Sequence, residues 1–299
     1  MSELPACTNR KTSDDTNKGD IKMEAAIFFE SYLPDALRLA LEYAGDDGFV
    51  ASMPALLHAR ANAPYHNIIW NTWFTSNSEE SVAMTPQGQR VVVTVHGGGI
   101  FASPERFEKL YHASVARSCE IGFTGLFTAK ITATEATEAL QGKLPDGTVI
   151  PVFSFEEFKR GVKDLPRRHA VVMDYEMAKK SKNGYETFDD LKDDPLMIVR
   201  AGGVEAAATY LDQASDRYNT TVMGSWHPYH DINPDQFQTS ITILSGNIGG
   251  VDADKDDDHI RGIDAEFGLR SGISMVKVAR YVAVAPRDAS TTLRDLRFS

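Results

Sequence analysis

The sequence predicts an α/β protein: a mostly parallel central sheet flanked by helices, with a β-rich, partly antiparallel C-terminal section. Three observations carry that prediction. Between Arg90 and Ala214, five apolar β-branched runs each precede a helix-like stretch, which is the spacing of βαβ units. Those runs are almost continuously apolar, as expected of strands covered on both faces. After Asn219 the apolar runs are joined by Gly, Asn, Pro and Asp instead of helices, which suits hairpins.

Taken in order, residues 1–22 carry four acidic and four basic side chains and no apolar periodicity, and they read as a disordered leader. From Met23 to Tyr43, Ile27, Phe28, Leu33, Leu37 and Leu41 fall on helical spacing, with Pro34 expected to kink or split the helix. A second helix is expected over 54–61. The run NIIWNTWFT (67–75) reads as a strand with Trp70 and Trp73 on opposite faces, closed by the polar residues that follow it. The alternating core places strands at 91–95, 123–131, 148–153, 170–175 and 196–199. Helices follow at 104–119, 133–140, 155–163, 175–181 and 204–214. Further strands are expected at 221–226, 240–244 and 273–285. Without a Pro/Ser/Gly-rich linker, residues 23–299 read as one domain made of an N-terminal region (23–89), the βα core (90–218) and the β-rich section (219–299).

Composition narrows the function classes. The 299 residues hold 42 Asp plus Glu against 31 Lys plus Arg, a formal charge of −11. That balance opposes attraction to nucleic acid and to anionic membranes. No apolar run is long enough to span a bilayer, and the N-terminus lacks the apolar segment of a secretory signal, so a cytoplasmic protein is expected. The two cysteines, Cys7 and Cys119, read as free thiols. The acidity is concentrated at 252–258, with five Asp and one Lys, and at 189–194, with four Asp and one Lys.

The candidate chemistry begins at VVVTVHGGGIFASPERF, a strand running into Gly97, Gly98 and Gly99. The pattern Gly97-x-Gly99-x-x-Ala102 formally fits a dinucleotide fingerprint, but Ser103-Pro104 starts the helix too late, which disfavours a nicotinamide cofactor. His96 with the three glycines also fits an oxyanion-hole turn, yet no G-x-S-x-G supplies a nucleophile. A glycine turn that only permits close packing is the alternative. A second strand–glycine turn is read at Arg200, Gly202 and Gly203.

In a parallel sheet, ligands bind outside the carboxyl ends of the strands. His96, Lys130, Asp174 and Arg200 would meet there, with His96 shuttling a proton, Asp174 orienting it, and Lys130, Arg200 and the glycine turns binding an anion. The expected function is therefore a hydrolase or lyase acting on an anionic or carbonyl-containing metabolite. The alternative class is a non-catalytic binding or assembly protein with a β-rich homo-oligomer interface. A metal-dependent variant would use His227, His230 and Asp231 for a divalent metal. The acidic run from Asp252 fails as a calcium loop, with Asp257 at its sixth position and Ile263 at its twelfth.

Overall fold

A computed structural model describes residues 22–30, 32–64, 66–99, 103–110, 112, 128–218, 221–229, 236–246, 267–271 and 279–287. Residues 1–21 of the expected leader, Cys119, His230, Asp231 and the acidic run 252–258 lie outside the described residues, and Lys22, expected to end the leader, begins a strand.

The chain opens with strand β1 (Lys22–Glu30), then helix α1 (Leu33–Ala44), strand β2 (Phe49–Val50), helix α2 (Met53–Ala61), and a 3₁₀ turn (Ile68–Asn71) that leads into β3 (Phe74–Met84) and β4 (Arg90–His96). A helical segment over 104–110 precedes β5 (Thr128–Lys130). Then come α3 (Ala133–Leu140), β6 (Val152–Ser154), α4 (Phe155–Lys159), β7 (His169–Asp174), α5 (Tyr175–Lys180) and β8 (Gly184–Thr187). The last part holds α6 (Phe188–Asp193), α7 (Pro195–Ala201), α8 (Val204–Tyr218), β9 (Val222–Trp226), β10 (Gln238–Gly246), β11 (Phe267–Ser271) and β12 (Ala279–Arg287).

The expected parallel sheet is corrected. Among the described residues there are two sheets, a three-stranded one ordered β1-β12-β2 and a nine-stranded one ordered β6-β7-β4-β3-β10-β11-β9-β8, with β5 also on β10. Only β6 with β7 and β11 with β9 run parallel among the described pairings; the other eight are antiparallel. β4 is antiparallel to both its neighbours, β3 and β7. The reading failed because an apolar strand reports burial on both faces, not strand direction. Val91, Val93 and Val95 face one core with Leu37, Phe107 and Tyr281, while Val92 faces another with Phe155, Met173 and Leu196.

Two local predictions change for related reasons. Pro34 does not kink a helix begun at Met23; it starts α1, because a missing N–H costs nothing in the first turn. The residues before it form β1 instead, paired along its whole length with β12. α1 then buries Leu33, Ala36, Leu37, Ala40 and Ala44, one face at helical spacing, against Tyr281 and Ala283. The second change is LMIV (196–199), expected as a strand and found in α7. Asp194 caps its start by accepting the Met197 N–H at 2.7 Å, Pro195 opens it, and Gly202 ends it at φ +94°. A third core, around Trp70, Phe74, Tyr210 and Leu244, lies between α2, α6–α8 and the large sheet. Among the described residues, no helix is long and apolar enough to cross a membrane.

Candidate functional site

The proposed acid–base pair is not assembled. His96 ends β4 opposite His169, whereas Asp174 lies opposite Val91 at the other end of that strand. Five residues of strand separate them, roughly 16 Å at ~3.3 Å per residue. Asp174 instead caps α5 through the Met177 N–H and accepts a 2.8 Å bond from Gln89 Nε2. Lys130 is exposed at the end of β5 opposite Gln238.

His96 is wholly buried and committed to packing. Its Nε2–H donates to the Val199 carbonyl at 3.0 Å, so Nδ1 accepts from Ser78 Oγ at 2.8 Å, and Ser78 Oγ in turn accepts the Met53 N–H. The His169 ring lies 4.9 Å away. Burial, and then the neighbouring His169, hold His96 well below the ordinary imidazole range against the Val199 bond.

Arg200 is not at a strand end but in the last turn of α7, 1 % exposed. Its Nε and Nη2 fork onto the two Glu80 carboxylate oxygens at 2.7 and 3.1 Å. Nη1 donates to Ser225 Oγ and Nη2 also reaches the Trp226 carbonyl. Tyr229 donates its hydroxyl to the same carboxylate at 2.6 Å, and Tyr175 donates to the Tyr229 carbonyl. Burial works against the Arg200 charge, but Glu80 more than offsets it and holds the guanidinium above its ordinary range. Sequence reasoning missed Glu80, because SNSEES (76–81) reads as a polar turn and is in fact the buried middle of β3.

The glycine turns are packing devices. Gly97 and Gly98 both donate their N–H to the Asn77 carbonyl, at 2.9 and 3.1 Å, so neither amide is left for an oxyanion. A Cβ at Gly99 would overlap the Glu79 carboxylate. Gly202 and Gly203 donate to carbonyls of the last turn of α7. The metal reading also fails at His227. Its Nε2–H donates to the Ser181 carbonyl at 2.8 Å and Nδ1 accepts the Tyr229 N–H at 3.3 Å, which leaves no ring lone pair for an ion. Among the described residues no group of three His, Cys, Asp or Glu could hold a metal.

A cavity of about 540 Å³ lies elsewhere, on the seam between the two sheets. Leu41 and Ala44 of α1, the turn at Gly45, Asp46 and Gly48, and β2 form one wall; Ser52, Asn77, Gly97, Asp146, Arg167 and Arg168 form the other. Gly97 adopts φ +81°, and a Cβ there would sit 2.9 Å from Arg168 Cγ, so this glycine sets how closely the arginines approach. Arg168 pairs with Asp146 at 2.9 Å. Partial burial works against the Asp146 charge, but the Thr148 N–H and Arg168 together hold it below the ordinary carboxylate range. Arg167 lies over the Phe49 ring, 4.0 Å from its centroid.

No family model matches the chain, and no curated protein matches it. A solved structure described as "Accommodation of massive sequence variation in Nanoarchaeota by the C-type lectin fold" superposes with a TM-score of 0.56 at 20 % identity, covering 89 % of this chain and 99 % of that one. The hydrolase or lyase expectation is corrected with the α/β fold on which it rested. Among the described residues there is no row of parallel strand ends to assemble the chemistry, and its residues are dispersed or buried in the framework. What the likeness shows is the fold: this chain is built on the C-type lectin fold.

Proposed function

We propose that this chain is a non-catalytic binding protein whose ligand enters the seam cavity. The observation that carries the reading is the cavity itself, about 540 Å³, with an apolar inner wall and charged groups beside it. That size lies within the ~300–1,000 Å³ of small-molecule sites, and the lining sets the apolar side chains of Leu41, Ala44, Phe49 and Val50 beside polar and charged groups that can orient a ligand. The superposed structure is described as a C-type lectin fold that accommodates massive sequence variation. A fixed framework under a replaceable surface suits recognition, and the buried Glu80–Arg200–Tyr229 group supplies such a framework here.

A ligand-observed NMR screen of small fragments tests the reading. Leu41 is half-buried, lines the cavity and packs on the outer side of the main core, so Leu41→Trp fills the cavity, and the melting temperature reads any disturbance of the core beneath. The expected result is a set of fragments that bind the wild-type chain and are lost in Leu41→Trp, with both proteins melting at similar temperatures. If every fragment that binds does so equally well to the plugged variant, the cavity is not the site.

A further inference from the structure

The ligand class follows from how the charges around the cavity are already used, and this inference rests on the cavity being the binding site. Among the described residues, four ionisable side chains line it: Asp46, Asp146, Arg167 and Arg168. Asp146 and Arg168 satisfy each other at 2.9 Å, with Thr148 bonded to both. Arg167 is different. Its guanidinium is held over the Phe49 ring, and it makes no ion pair or side-chain hydrogen bond with the described residues. The ring fixes the cation in place without consuming a carboxylate. Its planar fork of N–H donors is matched geometrically to a carboxylate.

The inner wall beside that cation is apolar, with Val50 3 % and Ala44 5 % exposed. The rest of the lining limits the ligand's charge. Asp46 and Asp146 balance Arg167 and Arg168, so the wall has no net positive charge with which to hold a second anionic group. A phosphate or sulfate ester would gain at Arg167 and lose to the two carboxylates. We propose that the cavity takes a small amphipathic monocarboxylate, its carboxylate on Arg167 and its apolar body against Leu41, Ala44 and Val50. Phe49 is then a positioning residue, because it acts through Arg167.

Titration calorimetry on the full chain separates the terms with four probes of one shape: 3-phenylpropionate, the neutral 3-phenylpropanol, the cationic phenethylamine and the dianionic phenyl phosphate. The expected order places 3-phenylpropionate at least about tenfold tighter than the other three, the size of one charge-assisted pair. Arg167→Ala removes that preference and leaves the alcohol's affinity and the melting temperature unchanged, since Arg167 is exposed. Arg167→Lys restores part of it, and Phe49→Leu weakens the acid more than the alcohol.

An alcohol or amine that binds as tightly as the acid overturns the monocarboxylate class, as does a tighter phosphate or an Arg167→Ala variant that binds the acid unchanged. In each of those cases, binding that Leu41→Trp abolishes leaves the cavity reading intact. Failure of all four probes also overturns the proposed class, and the broader fragment screen then decides separately whether the cavity binds anything.

Discussion

Glu80 and Arg200 are 120 residues apart in sequence and meet as a fully buried, forked ion pair. Two ions taken out of water are held there only because every neighbour cooperates, so removing one partner strands the other. Arg200→Met is expected to cost about 3–5 kcal/mol in urea denaturation. The double variant Glu80→Leu with Arg200→Met should recover most of that loss, because an apolar pair has no stranded charge. A cost under about 1 kcal/mol for the single variant would mean the pair is not formed as described.

The neighbouring imidazoles give a second residue-scale expectation. Burial holds both His96 and His169 below the ordinary imidazole range, the latter against its bond to the Pro166 carbonyl, and the His169 ring stacks on Phe158 and meets Phe153 edge-on. A group whose folded pKa is lowered prefers to charge in the unfolded chain. Its stability contribution is therefore complete above about pH 6.5 and is lost as the pH falls through the lowered folded values. The urea midpoint should be flat near pH 7.5 and decline below about pH 6.5, and His169→Phe should make that decline shallower. An identical decline in the variant would place the acid sensitivity elsewhere.

At the scale of elements, capping outweighed β-propensity. LMIV is a strand by composition, yet Asp194-Pro195 on one side and Gly202 on the other make it the helix α7. Asp194→Ala should cost about 1 kcal/mol for the lost cap. Gly202→Ala should cost about 1–2 kcal/mol, because φ +94° excludes a Cβ that would also press on Pro54 at 3.0 Å. Thermal unfolding of the two variants, with circular dichroism as the readout, checks both.

The same contrast explains what was legible in the sequence. Helices with strong ends were readable: the Thr132/Glu135 and Ser154/Glu157 capping boxes open α3 and α4 where the periodicity places them. Strand positions such as 91–95 and 170–174 were readable from their apolar runs, but strand direction was not, because double-faced burial looks the same in a covered antiparallel sheet. The glycine turn 97–99 was legible as a close approach, though not what it approaches. The cavity was not legible at all: Phe49, Asp146 and Arg167 are distant in sequence, and each alone is an ordinary surface residue.

Across the whole molecule, one line of backbone hydrogen bonds ties the two sheets together. Ala51 donates to Val282 of β12 at 2.7 Å, Asn77 of β3 donates to Ala51 at 2.8 Å, and Gly97 and Gly98 close on Asn77. The cavity sits along this seam, so the small sheet and the large one should lose structure together. Gly48 offers the test, because it is where α1, β2 and β12 converge: a Cβ there would overlap the carbonyls of Ala44 and Val284. Backbone cannot give way as a flexible side chain can, so Gly48→Ala must push β12 away from the end of α1. The expected cost is about 1–3 kcal/mol, as for other overpacked sites. If the seam makes one cooperative unit, the variant still unfolds in a single transition with an unchanged urea slope, and tryptophan fluorescence from Trp70, Trp73 and Trp226 coincides with circular dichroism. Two separated transitions would show instead that the β1-β12-β2 sheet comes away on its own, and the cavity would then be a cleft between independently stable parts.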